Sequence, residues 1–278
     1  MTEARHAALS FCTLLGCIAI MVPVMSAHAQ SDSEESSGSA RFFALPFELD
    51  FDSGADNGDA SFLKLAPLYK IRLGKDWTLV NLDLLTLADA PGGVPGRPGN
   101  PSPEPGERTF GAADLTHVSF FTPPAKGNFT FGFGVLLTVP IATADVLGSG
   151  KWSAGPAARV VYRKGPWNIG FFGGNHKSFA GSGARFDVNQ LLIRGAIRRE
   201  LSDNWFLVSA PVITANWNGK SGQRWVVPVG GGVGKQIGTG SIPWVVSMQG
   251  YVNAVKPDGA PDWLLRLSLT MAIPLDKN

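Results

Sequence analysis

The chain has 278 residues, with 24 Lys and Arg against 22 Asp and Glu, a net charge of +2, and 44% hydrophobic against 17% charged residues. That balance excludes intrinsic disorder, and the lack of a basic cluster leaves no electrostatic footprint for nucleic acid. Its 34 Gly and 20 Pro disfavour a helical bundle and point to many turns, in a chain long enough for one large domain, a closed barrel or two small domains.

In chain order, residues 1–29 have the layout of a secretory signal: Arg5 and His6 lead, an apolar run follows from Ala7 to Met25, and Ala27-His28-Ala29 precedes Gln30. A rival is the lipobox-like Leu14-Leu15-Gly16-Cys17, which would acylate Cys17; the apolar run that continues to Val24 speaks against it. Both cysteines, Cys12 and Cys17, fall inside this leader, so the mature chain is expected to offer no thiol for a disulfide, a zinc site or a nucleophile. Residues 30–40 are acidic and Ser-rich with nothing to bury and read as a mobile lead; 41–278 read as one domain.

Past Ala40 the dominant period is two, the signature of strands. Phe43, Leu45, Phe47, Leu49 and Phe51 alternate with Glu48 and Asp50, and Leu63, Leu65, Tyr69, Ile71 and Leu73 with Lys64, Lys70 and Arg72. Phe129, Phe131, Phe133, Val135, Leu137 and Val139 continue the pattern against Thr130 and Thr138. Trp244, Val246, Met248 and Val252 oppose Ser247, Gln249 and Asn253, and the last run sets Trp263, Leu265, Leu267, Leu269, Met271 and Ile273 against Arg266, Ser268 and Thr270. Twelve runs emerge: 41–51, 61–73, 77–87, 113–122, 129–141, 155–163, 167–175, 185–200, 205–217, 224–236, 243–255 and 262–273. An even number is what a closed up-and-down barrel needs.

Connections alternate in length over the first eight joints: 74–76, 123–128, 164–166 and 201–204 are tight, while 52–60, 88–112, 142–154 and 176–184 are longer. Short turns at one end and long loops at the other is the outer-membrane barrel arrangement. Trp77, Trp167, Trp205, Trp225, Trp244 and Trp263 open strands and Trp217 closes one, as an interfacial aromatic girdle would. Pro46, Pro67, Pro140, Pro211 and Pro228 lie inside these runs and predict bulges or strand ends. In 185–200 the apolar parity changes, from Phe186 and Val188 to Leu191, Ile193 and Ile197, which predicts a bulge near Gln190.

The alternation assigns Glu48, Asp50, Lys64, Lys70, Arg72, Ser247, Gln249, Asn253 and Arg266 to a polar, mixed-charge lumen. These charges either line a passage or pair across the interior and close it; twelve strands allow at most a narrow channel. Gly230-Gly231-Gly232-Val233-Gly234-Lys235 fails as a phosphate loop, because Val229 stands where the first Gly belongs and Gln236 follows the Lys. Glycines 230, 232 and 234 share a parity and predict a patch of wall that gives room inside. The Pro/Gly-rich loop 88–112 is expected to be mobile and exterior. The mature chain has two histidines, both read as solvated polar residues: His117, alternating with Ser119 in a strand, is a candidate for the lumen, and His176 begins a loop. No catalytic residue, cofactor site or metal site is predicted, and no enzyme is expected.

Several segments resemble the outer-membrane family named for the meta-pathway of phenol degradation. They are Leu147-Gly148-Ser149-Gly150-Lys151-Trp152 with Gly155-Pro156, Trp167, Ser178-Phe179-Ala180-Gly181 and Ile213-Thr214-Ala215-Asn216-Trp217. The closing part is the strongest: Trp225, Pro228, Gly230 to Lys235, Pro243, Tyr251, Asn253, Pro257-Asp258-Gly259-Ala260-Pro261-Asp262-Trp263, Arg266 and Pro274. The resemblance covers about 145–274; the chain departs from it at His176-Lys177 and at Gly250. It implies an outer-membrane β-barrel that passes small, hydrophobic or aromatic molecules, and it supplies no catalytic residues.

The expectation is therefore an all-β, antiparallel, up-and-down transmembrane β-barrel of about 12 strands, exported to the outer membrane of a Gram-negative cell and acting as a passive channel. Its expected partners are outer-membrane lipid, the barrel-assembly machinery and a small-molecule solute. Two alternatives stay open: a plugged barrel with a structural or lipid-directed enzymatic role, and a periplasmic β-sandwich that binds a partner.

Overall fold

The computed structural model describes residues 41–91, 108–237 and 244–275. The proposed leader 1–29, the lead 30–40, the centre of loop 88–112 and the segment 238–243 lie partly or wholly outside them. The chain runs through β1 (Arg41–Ser53), β2 (Ala60–Leu65), β3 (Leu68–Leu73), β4 (Trp77–Pro91), β5 (Arg108–Ala112), β6 (Leu115–Thr122) and β7 (Phe129–Val139). After a 3₁₀ turn at Asp145–Leu147 come β8 (Lys151–Lys164), β9 (Trp167–Gly181), β10 (Asn189–Glu200), β11 (Trp205–Ser209), β12 (Val212–Asn216), β13 (Trp225–Ile237), β14 (Trp244–Val255) and β15 (Trp263–Leu275).

Three pairs of these are single wall strands interrupted once: β2 with β3, β5 with β6, and β11 with β12. Counted so, the wall has twelve strands, each antiparallel to the next, and β1 pairs with β15 from Arg41↔Leu275 to Ser53↔Trp263 to close it. Closure removes every sheet edge.

The prolines account for the interruptions. Pro67 and Pro211 sit in the breaks between β2 and β3 and between β11 and β12. Pro228 follows a register shift against β14 between Val227 and Pro228, and Pro140 stands just past the end of β7. Pro46 lies in β1 opposite the first break, where the Ala66 amide donates to its carbonyl at 3.1 Å. Each proline thus falls where a ladder hydrogen bond is already lost.

Two local expectations are corrected. No bulge occurs near Gln190: β9 and β10 keep one register from Asn189↔Lys177 to Arg199↔Trp167. The parity changes because Phe186 and Val188 precede the strand. Loop 88–112 is shorter than expected, since Leu87–Pro91 pairs with Arg108–Ala112 and extends that hairpin. At the opposite end the tight turn 201–204 has Asp203 and Asn204 at φ of 54° and 63°, the left-handed pair a two-residue hairpin turn uses.

The outer face is apolar, with Leu63, Ile71, Leu85, Phe121, Phe131, Phe133, Val135, Met248, Val252 and Leu267 exposed. Parts of the interior are packed with apolar side chains. Val80, Val118, Phe120, Leu136 and Ala157 form one apolar cluster joined by Phe172, and Leu147 from the 3₁₀ turn packs on Ala60, Phe62, Ala88 and Ala90 at the long-loop end. A third cluster, Ala44, Leu68, Ala196, Phe206, Val208, Ala210 and Val245 with Leu82, draws on strands from both sides of the barrel.

Candidate functional site

The inward positions of β1, β2, β14 and β15 carry the polar residues the alternation singled out. Asp50 and Arg266 are register partners on adjacent strands, and both are almost fully buried. Arg266 Nε donates to Asp50 Oδ1 at 2.7 Å and its Nη2 to Oδ2 at 2.8 Å, a two-point fork that fixes geometry as well as charge. Lys64 from β2 donates to the same Oδ2. Glu48, one alternate position along β1, takes a hydrogen bond from Arg194 of β10. Around a ring of twelve strands, β1 and β10 stand five places apart, so this ion pair crosses the lumen.

A second set of bonds fastens the break between β11 and β12. Ala210, just before Pro211, has left the ladder, and both its backbone groups are taken up from inside. Arg266 Nη1 donates to its carbonyl at 2.8 Å, and its N–H donates to the Tyr251 hydroxyl at 2.6 Å. The Tyr251 hydroxyl donates to Gln249 Oε1, Gln249 Nε2 donates to Ser247 Oγ at 3.0 Å, and Ser247 and Ser268 share a hydroxyl contact. Every buried group in this relay is matched with a donor or acceptor, as a low-dielectric interior requires.

Of the nine residues assigned to the lumen, Glu48, Asp50, Lys64, Ser247, Gln249 and Arg266 thus join one network. Asn253 faces inward at the long-loop rim, where its side chain holds the Pro261 carbonyl at 2.8 Å. Lys70 and Arg72 occupy inward positions of β3 toward the short-turn rim, away from the network. The sequence reading missed Arg194, Tyr251 and a rim stack in which Arg198 lies 3.5 Å over the Phe206 ring and forks onto Glu200 at 2.6 and 3.1 Å. Parity with Ile193 and Ile197 would have turned both arginines inward. Gly234 faces this stack, and a Cβ there would stand 2.1 Å from the Phe206 ring, so its room is filled by a neighbour.

The eight tryptophans divide between the rims. Trp77, Trp167, Trp205 and Trp244 stand at the short-turn end, and Trp152, Trp217, Trp225 and Trp263 at the long-loop end. Trp217 meets Trp225 edge-on at 5.6 Å and donates its indole N–H to Asn175. In the 182–188 hairpin at that end, a hydrogen bond from Lys151 holds the exposed Asp187 carboxyl below the ordinary carboxylate value.

Both histidine expectations are corrected. His176 is buried within β9, its Nδ1 3.4 Å from Thr138 Oγ1. His117 faces outward: on β6 it shares the parity of exposed Phe121, and its register partners Asp83 and Leu137 lie on the outer rows of β4 and β7. There His117 Nδ1 meets Asp83 Oδ1 at 2.6 Å and Nε2 meets Ser119 Oγ at 2.7 Å.

No protein-family model and no curated protein matches the chain. Among solved structures, an outer-membrane channel from Pseudomonas putida F1 is similar at 15% identity and a TM-score of 0.60, over 88% of this chain and 100% of that one. The P. putida toluene transporter TodX matches at 9% identity and a TM-score of 0.39, over 87% and 92% of the two chains. The CymD monoaromatic hydrocarbon channel matches at 6% and 0.43, over 86% and 89%. At these identities the first likeness bears on the fold, which it shares with this closed barrel.

Proposed function

We propose that this chain is an outer-membrane channel through which small hydrophobic or aromatic molecules pass without an energy source. The observation that carries it is the division of the wall: an apolar outer face bounded by tryptophan at both rims, around an interior of paired charges and hydroxyls. The solved channel from Pseudomonas putida F1 supports the same reading, and the resemblance to the phenol meta-pathway family supports the solute class. On this reading the barrel-assembly machinery inserts the chain, outer-membrane lipid surrounds it and the lumen charges set selectivity.

Conductance of the purified protein in a planar lipid bilayer tests it. Ohmic steps are expected, with the cation-to-anion permeability ratio shifted by Lys70→Glu; steps whose selectivity ignores that reversal would count against the lumen assignment. A second reading, a plugged barrel, is favoured by the Arg194–Glu48 contact across the interior and the apolar cluster spanning it. Silence from inserted wild-type barrels, relieved by Glu48→Gln with Arg194→Gln, would support the plug.

A further inference from the structure

We propose that the outer wall carries a serine hydrolase site, with Ser119 as nucleophile, His117 as base and Asp83 as the positioning acid, acting on the acyl ester of a bilayer phospholipid. It is independent of whether the lumen conducts, and it departs from the expectation that the chain is no enzyme; the lipid substrate rests on the membrane reading above.

His117 and Ser119 are alternate residues of β6, so both side chains leave the same face, and Asp83 and Asn81 are their register partners on β4. The pleat therefore sets four functional groups in a two-by-two array without help from loops. Asp83 receives a hydrogen bond from Tyr69 of β3 as well as facing His117. With the carboxylate at Nδ1, the imidazole carries its proton there and presents Nε2 as an acceptor to Ser119 Oγ, the arrangement that activates a serine hydroxyl.

Asn81 supplies the fourth requirement. Ser119 Oγ donates to its Oδ1 at 2.6 Å, and its Nδ2 is buried with no hydrogen-bond partner. A half-turn of the amide exchanges the two ends, which frees the Ser119 proton for His117 Nε2 and sets an N–H donor beside the nucleophile.

The surroundings fit a lipid. Ser119 and His117 are flanked across β7 by Val135 and Leu137, and Asp83 and His117 keep side-chain exposures of 26% and 28%. Polar groups on a lipid-facing wall are costly unless they serve a purpose. Ser119 is two residues from Phe121, which stacks on Phe133 at 6.0 Å, while Trp77 meets Phe133 edge-on at 6.1 Å. Ser119 is level with Asn81, four residues from Trp77 on β4, and four residues of a strand tilted by ~40° rise roughly 10 Å. The nucleophile thus lies below the rim tryptophan, on the lipid-facing wall, and takes an ester that dips beneath the girdle.

The reaction balances with water as the only co-reactant. Ser119 Oγ attacks the ester carbonyl carbon as its proton passes to His117 Nε2. The carbon–oxygen bond to the lipid alcohol breaks, and that alcohol leaves with the proton. Water then attacks the acyl-serine, giving its proton to His117; the fatty acid departs and the proton returns to Ser119.

The test uses the full-length protein in detergent, with folding checked by heat-modifiable gel mobility, and a long-chain alkyl fluorophosphonate as probe. Mass addition on the peptide holding Ser119 is expected in the wild type, and its loss in Ser119→Ala and His117→Ala. In phosphatidylethanolamine vesicles, fatty-acid release should fall about 10²–10⁴-fold in His117→Ala. In Asp83→Asn, kcat should fall with KM nearly unchanged, which a merely structural role would not produce. No labelling of Ser119 in folded wild-type protein, or equal fatty-acid release by Ser119→Ala, would overturn the proposal. Bilayer conductance of Ser119→Ala is expected to match the wild type, which keeps this result separate from that of the channel.

Discussion

The barrel holds two polar clusters on opposite faces of its wall, and they are finished differently. Inside, Asp50 is gripped by Arg266 and Lys64, and the same arginine caps the Ala210 carbonyl freed by Pro211. Outside, Asp83, His117, Ser119 and Asn81 line up across two strands, yet Asn81 Nδ2 has no partner. The inner set combines acids with more than enough cations and hydroxyls; the outer set contains a carboxylate, a base and a hydroxyl with no cation. Glu48 Oε2 of the inner set also lacks a hydrogen-bond partner, so the two clusters differ in charge balance: cations neutralise the inner acids and hold the strands together. An acid, a base and a hydroxyl in line is the composition of a reactive site.

The comparison breaks most readily from the inside. Arg266→Ala strands a buried carboxylate and the Ala210 carbonyl, and should destabilise the barrel by about 3–5 kcal/mol, read as a lower temperature for the heat-modified mobility shift. Gly234→Val drives a side chain into the Phe206 ring and should cost about 1–3 kcal/mol by the same measure. Ser119→Ala, by contrast, should change stability by about 1 kcal/mol or less while abolishing probe labelling. An unfolding temperature for Ser119→Ala as low as for Arg266→Ala would mean that the outer cluster is structural too.

The smallest effect belongs to the long-loop rim. The Asp187 carboxyl, held below its ordinary value by Lys151, contributes to seating the 182–188 hairpin above the ordinary carboxylate range. That contribution is lost as pH falls through the lowered folded value. The amide protection factor in 182–188, taken relative to the intrinsic rate at each pH, should therefore fall on acidification, and Asp187→Asn should show the lowered protection already at neutral pH.

Much of the wall was legible because a strand's period is short and local. Trp263 to Met271 and Phe47 to Phe51 show their outward face by alternation alone, and the prolines at 67 and 211 mark breaks because no proline can donate to a ladder. Alternation failed where the strand boundary was misplaced, as at Phe186 and Val188, and where polar residues stood on the outer row. His117, alternating with Ser119, was a candidate for the lumen, but parity with Phe121 turns it out.

The sequence by itself determined the all-β character, the twelve wall strands, the tryptophan-marked ends and the inward row of Glu48, Asp50 and Arg266. Each follows from spacing between residues close in the chain. Only the tertiary structure decided which groups meet: Arg194 with Glu48 across the lumen, Arg266 with Ala210, and His117 with Asp83 on the outside. These pairs are far apart in the chain and depend on strand order, register and closure, which no local pattern encodes.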